Sequence, residues 1–267
     1  MGFSAEWLSL REPIDHAARN TDVLEMVRDL LVNSAPARPT DIGSGTGSTL
    51  RALAPVLPRA ATWHLVDYDA ELLAVASREA GGLPVTMAQA DLSVSLDAIF
   101  EKPADLVTTS AFLDLVSEAW IGKLVAALAD RQVPFYAALS YDGRAGCVPP
   151  LPADAIVLDA FNAHQRGDKG FGPALGPRAA ETAVACFEDA GYRIVSGLSD
   201  WQAGPDHAAF QAMLLDGWRA AASEIRPDLA DDFGAWFNHR KAFLRDAANG
   251  ASVFVGHRDF LALPGGR

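Results

Sequence analysis

Asp41-Ile42-Gly43-Ser44-Gly45-Thr46-Gly47-Ser48 is the stretch on which the reading of this chain turns. The short apolar run before it, Pro39–Ile42, has strand character, and a helical pattern follows it. Glycine at every second position permits a tight turn. It also lets a ligand approach the backbone without Cβ obstruction and brings the next helix close to the sheet. Taken alone, the turn fits a plain loop, or the phosphate-binding turn of a nicotinamide enzyme, equally well.

Working outward, short β-rich runs alternate with helical patterns from about residue 37 to 142, which is the signature of βαβ units and a parallel sheet. The predicted strands are Pro39–Ile42, Thr62–Val66, Val85–Ala88, Asp105–Thr109 and Pro134–Leu139. Between them lie helices at Glu71–Glu79, closed by Gly81-Gly82, and at Glu118–Ala129, where Ile121, Leu124, Val125 and Leu128 recur at helical spacing. Ahead of the core, Val23, Leu24, Val27, Leu30 and Leu31 form one apolar helical face, with Asp22 and Glu25 resembling a capping box. Beyond the fifth strand come a helix over Asp154–Gln165 and another over Ala179–Ala190, stopped by Gly191. A strand at Arg193–Leu198, two helices within residues 206–249 and a last strand at Ser252–Leu263 complete the chain. The expected organisation is an N-terminal helical cap over 1–36 and an α/β domain over 37–267. A lid loop at 143–177 and a helical insertion at 201–250 decorate that domain.

Three further positions sharpen the glycine turn. The second strand ends in His64-Leu65-Val66-Asp67-Tyr68, the third in Gln89-Ala90-Asp91-Leu92 and the fourth in Thr109-Ser110-Ala111-Phe112. All follow the carboxyl ends of strands, the edge at which a doubly wound sheet binds ligands. A carboxylate at Asp67 suits the two hydroxyls of a ribose. One at Asp91 suits an adenine amino group, with Leu92 covering the ring.

In these four elements and their order the chain resembles the class I S-adenosylmethionine-dependent methyltransferases. The resemblance implies a Rossmann-like, doubly wound α/β fold whose seven-stranded, mostly parallel sheet ends on an antiparallel strand. It implies S-adenosylmethionine as cofactor and S-adenosylhomocysteine as product. By the same resemblance Asp41, Gly43, Ser44, Gly45 and Gly47 would carry the cofactor's backbone contacts. Asp67 and Tyr68 would take its ribose, Asp91 and Leu92 its adenine, and Thr109 and Ser110 its methionine end. Arg19 would meet the methionine carboxylate from the N-terminal segment. A nicotinamide fingerprint would require Gly or Ala where Ser48 stands.

Methyl transfer needs an aligned nucleophile and a dry site more than covalent help, with a general base where the acceptor is protic. The acceptor candidates fall in three segments. His16 lies in the N-terminal stretch. The loop Asn162–Pro173 combines His164, Gln165, Arg166 and Lys169 with three glycines. At the ends of strands four and five stand Asp114 and Tyr141. His164 and Asp114 are the expected catalytic bases, and His16, Tyr141, Gln165, Arg166 and Lys169 the expected substrate contacts. Capping of a helix near Ser117 is the competing role for Asp114, and Asp69 reads as the cap of the helix after it.

The net charge of −12 disfavours nucleic acid as partner, because phosphate recognition needs clustered Lys and Arg. Cys147 and Cys186 stand alone and His207, His239 and His257 are scattered, so no metal site is expected. No apolar run reaches membrane-span length, the N-terminus has no signal-peptide pattern, and Glu6 occupies the position at which myristoylation requires Ser or Thr. The expectation is a cytoplasmic enzyme acting on the O, N or S atom of a small molecule. A protein-substrate methyltransferase and a non-catalytic adenosyl-binding protein are the alternatives. The two late helices can cap the acceptor pocket or form a homodimer contact, and the sequence leaves both open.

Overall fold

The computed structural model describes residues 4–34, 36–57 and 61–265. Residues 1–3, where the expected cap and the N-terminal segment read for targeting signals begin, lie outside the described residues, as does Ala35 of that cap. Two helices lead, α1 (Ala5–Ala18) and α2 (Thr21–Asn33). The alternating core follows: β1 (Pro39–Ile42), α3 (Ser48–Leu53), β2 (Trp63–Asp67), α4 (Ala70–Arg78), β3 (Val85–Gln89), β4 (Leu106–Ser110), α5 (Glu118–Arg131) and β5 (Phe135–Val148). The remainder comprises α6 (Asp154–Gln165), α7 (Ala179–Asp189), β6 (Tyr192–Leu198), β7 (Trp201–Ala203), α8 (Ala208–Ile225), α9 (Ala230–Leu244) and β8 (Ser252–Pro264).

The sheet runs β3-β2-β1-β4-β5-β8-β6, with the short β7 paired to β8. The pairs from β3 to β5 are parallel, and β8 is antiparallel to β5, β6 and β7. Chain order reverses between β1 and β4, so the ends of these two strands open the crevice in which such sheets bind ligands. The seven expected strands all form, and β7 is an eighth. Residues along β2 show why a parallel strand reads as a continuous apolar run: Trp63 and Leu65 pack into the core on one side, Val66 into that on the other. Each such side chain taken fully out of water contributes about 1.5–3 kcal/mol.

Two local expectations are corrected. The α2 cap is Asn20, whose side chain accepts from the Val23 N–H, rather than Asp22. Residues 143–148 of the expected lid loop are strand, because β5 continues to Val148 against the long β8, bending at two register shifts. Leu139, in left-handed conformation at φ 53°, lies at the first shift. Its N–H donates to Asp259 Oδ1 at 2.8 Å. Asp259 is fully buried, and its Oδ2 accepts from the Asn20 N–H (3.0 Å) and the Tyr136 hydroxyl (3.2 Å). One carboxylate therefore joins the α1–α2 junction to the middle of the sheet.

Candidate functional site

The glycine turn owes its shape to backbone that L side chains rarely adopt. Gly43 stands at φ 60° and a Cβ there would meet the Phe112 ring at 2.8 Å. Gly47 stands at φ 83° and a Cβ there would sit 3.2 Å from Ala76 Cβ on α4. The turn is held from both sides. The Arg51 guanidinium donates to Thr46 O and, bidentately at 2.6 Å, to Glu12 of α1. Burial works to raise the Glu12 carboxyl, but Arg51 overcomes it and holds the group below its ordinary value. On the other side Asp67 Oδ2 accepts from the Gly45 N–H at 2.7 Å, and its Oδ1 from the Asp69 N–H at 3.0 Å. Burial raises the Asp67 carboxyl even so. Asp69 caps α4.

Above the strand ends lies a cleft of about 290 Å³. The size is close to the lower end for small-molecule sites. Gly43, Gly45, Asp67, Tyr68, Asp91, Leu92 and Ser110 line it, so seven of the twelve residues expected to contact a cofactor share one wall. Asp91 is exposed there, its Oδ1 accepting from the Ser93 backbone (2.9 Å) and hydroxyl (2.6 Å), which hold its pKa down. Phe112, Phe171 and Trp120 form a mutually edge-on trio with centroids 5.6–5.7 Å apart, and the two phenylalanines face the cleft.

The other five cofactor candidates lie off the wall. Asp41 is buried beneath the turn, where its Oδ1 accepts from the Thr108 hydroxyl at 2.7 Å while Oδ2 has no partner. Burial pushes its pKa up to about 7 against the pull of Thr108 and Arg19. Ser44 is buried, and Gly47 begins α3. Thr109 turns inward to donate to Ile42 O at 2.8 Å. Arg19 is buried against the sheet, donating to the Tyr136 hydroxyl (3.2 Å) and to Ser110 Oγ (3.3 Å). It reaches the cleft only through Ser110.

The acceptor candidates divide more sharply. Lys169 lines the cleft. His164 does not: its Nδ1 faces the Lys169 ammonium at 3.2 Å and its Nε2 faces Glu224 at 3.1 Å, so both ring nitrogens are engaged behind the wall. His16 meets the Ser48 carbonyl and hydroxyl at 3.1 Å, beside the turn rather than in the cleft. Tyr141 is buried and donates to Asn162 Oδ1 at 2.7 Å, and burial, aided by Asp142 and Asp114, raises its phenol. Gln165 and Arg166 end α6 away from the cleft. Asp114 caps nothing, because Ser117 itself caps α5. It sits between the cleft-lining Phe112 and Leu115, with Oδ1 sealed from solvent and unpartnered. Burial lifts its pKa to about 6, against the charges of Arg11 and Lys169.

A model of a methyltransferase domain family matches residues 40–133, from β1 through the glycine turn, Asp67 and Asp91 to the end of α5. Residues 40–133 form a methyltransferase domain. Solved structures agree at the level of fold. A protein of Bacillus halodurans assigned as a methyltransferase is 12% identical, with a TM-score of 0.53, over 92% of this chain and 100% of its own. YjhP of Escherichia coli gives 19% and 0.51 over 97% and 99%. YcgJ of Bacillus subtilis gives 18% and 0.50 over 91% and 100%. No curated protein sequence matches the chain significantly.

Several residues on the walls of this cleft lie in stretches the sequence pointed to but are not themselves singled out there, and Leu8 lies outside those stretches. Leu8 and Arg11 come from α1, outside the matched segment, and Phe112 and Phe171 supply the aromatic side. The signal for Arg11 was its i,i+4 ion pair with Asp15, at 2.8 Å. Among the described residues no helix is long and apolar enough to cross a membrane, and no His, Cys, Asp or Glu cluster is arranged to hold a metal.

Proposed function

We propose that the protein transfers the S-adenosylmethionine methyl group to a protic oxygen or nitrogen of a small acceptor, with Asp114 as general base. The observation that carries this reading is a single cleft bringing Gly43, Gly45, Asp67, Tyr68, Asp91, Leu92 and Ser110 together; Asp114 stands behind the lining, in the turn between the cleft-lining Phe112 and Leu115, with Oδ1 unpartnered. A Cβ-free backbone approach at Gly43 and Gly45, a carboxylate at the end of β2 and a second after β3 fit an adenosyl ligand's chemistry. Asp67 would accept from the ribose hydroxyls, and Asp91 from the adenine amino group against Leu92. Ser110, oriented by Arg19, would meet the amino-acid end.

When bound, the cofactor supplies a methyl group already activated on a sulfonium. The acceptor's lone pair forms the new bond to carbon, and the carbon–sulfur pair stays on sulfur. The proton released passes to Asp114, whose carboxylate becomes a carboxylic acid. A base with a pKa about 6 is ionised at neutral pH yet basic enough to take that proton, which is the tuning general-base catalysis requires. Phe112, Phe171 and Leu8 exclude water. His164 serves instead to hold Lys169.

A cleft of about 290 Å³, lined by α1 and by residues 169–171 as well as by the strand ends, favours a small acceptor over a peptide. The net charge of −12 favours it over nucleic acid. Two free cysteines, Cys147 and Cys186, fit a reducing, cytoplasmic setting. Incubation with methyl-labelled S-adenosylmethionine and an acceptor library tests the assignment. Labelled product from wild type, reduced at least a hundredfold in Asp114→Asn, is expected. A variant as active as wild type refutes the base role.

A further inference from the structure

The cleft carries two cations. Arg11 reaches it from α1 and Lys169 from the loop after α6, and both line the wall. Their charges pull the Asp114 carboxyl down against the lift of burial. Neither cation is spent. Arg11 gives its Nε to Asp15 (2.8 Å) and lies over the Trp201 ring at 5.3 Å, leaving both Nη groups uncommitted. Among the described residues Lys169 has no carboxylate within ion-pair distance, and its only hydrogen-bond partner is the His164 ring. The ring's other nitrogen is backed by Glu224, so the side chain is held at the wall rather than left free to swing. Burial lowers the Lys169 pKa against the charges of Glu224 and Asp114, a sign of an ammonium partly stripped of water. Leu8, Phe112, Leu115 and Phe171 supply apolar lining to the same cleft.

We propose that the acceptor is a small hydroxy acid, its anionic group held between Arg11 and Lys169 while its hydroxyl is the protic group of the proposed reaction. The inference rests on reading the cleft as a methyltransferase site and adds the substrate class. Two charges of opposite kind then do separate work. The cations fix the acid group, and the Asp114 carboxylate receives the proton of that reaction. The chain's overall negative charge does not oppose this. Screening at physiological salt confines it to about 8 Å, so the groups at the cleft wall decide.

The test is calorimetric titration of the protein saturated with S-adenosylhomocysteine, using single-ring hydroxy carboxylates, the matching phosphate esters and the matching neutral amides. Acids are expected to bind at least tenfold more tightly than their amides, with carboxylate or phosphate ester favoured according to the anion the site fits. Lys169→Gln, a loop substitution, should erase that preference while S-adenosylhomocysteine affinity stays within about twofold. Amides binding as well as acids, no compound binding to the saturated protein, or an unchanged preference in Lys169→Gln would each overturn the proposal. Failure of wild type to bind S-adenosylhomocysteine at all would strike the underlying reading instead, and is seen before any acid is added.

Discussion

Replacing Asp114 by Asn tests the chemistry and the energetics of the site together. Burial holds this carboxyl at about 6 in the folded protein, whereas an unfolded aspartate titrates at about 3.9. The raised value means that the folded state binds the extra proton between those two pH values. Stability due to this group is therefore present below about pH 4 and is lost as pH rises through 6. The gap corresponds to about 3 kcal/mol, reduced to roughly 2 because the residue keeps some solvent contact. Asn cannot ionise, so Asp114→Asn should be more stable than wild type by about that amount at pH 7.5 and close to equal at pH 4. For a chain of this size that is roughly 5 °C in melting temperature. Activity should move the opposite way. Wild-type kcat/KM should fall about tenfold for each pH unit below 6 and level off above 7, and the variant should lose about 10²–10⁴-fold in kcat. Asp41, raised by burial to about 7, also titrates in this range, so Asp41→Asn serves as a control that keeps the acidic limb. Differential scanning at two pH values and a pH–rate profile give both readouts. A variant that retains the acidic limb, or that is less stable than wild type at pH 7.5, refutes the reasoning.

Other substitutions probe the frame around the site. Gly43→Ala forces an L residue to φ 60° and puts a methyl against Phe112, so it should cost about 1–2 kcal/mol in urea unfolding and weaken cofactor binding as well. Arg19→Ala leaves Asp259 and Tyr136 buried without the neighbouring charge. Denaturation should register a loss of about 3–5 kcal/mol, because breaking a buried charged network strands the remaining partners. Asp41→Asn removes a buried carboxyl raised to about 7, so by the sign argued for Asp114 it should stabilise the fold more at pH 8 than at pH 5, as read by thermal melts.

The parts of this molecule that local chemistry dictates were legible in its sequence. The glycine turn, the alternating strands and the carboxylates at strand ends are positional consequences of βαβ units, and seven of the twelve expected cofactor residues share the cleft wall. What was not legible depends on long-range packing. Pro13 interrupts the hydrogen-bond pattern inside α1 and obscures it as a helix, so Leu8 and Arg11 were missed as wall residues. The extension of β5 to Val148 exists only because β8 pairs with it from more than a hundred residues away. His164 looked like a base because it shares a glycine-rich loop with Lys169, but α8 presents Glu224 to it and turns it into a support. Asp114 reads equally as a base and as a cap from the sequence, and Ser117 three residues on takes the capping role.

The central claim is that the cleft takes an adenosyl ligand, and calorimetric titration of wild type and Asp67→Ala with S-adenosylhomocysteine and with NAD tests it most directly. The account predicts micromolar binding of S-adenosylhomocysteine by wild type and no NAD binding. In Asp67→Ala, binding should weaken about a hundredfold or more, as expected for the loss of hydrogen bonds to a charged group worth about 1.5–3 kcal/mol each. Tight NAD binding, or S-adenosylhomocysteine affinity unchanged in Asp67→Ala, would contradict it.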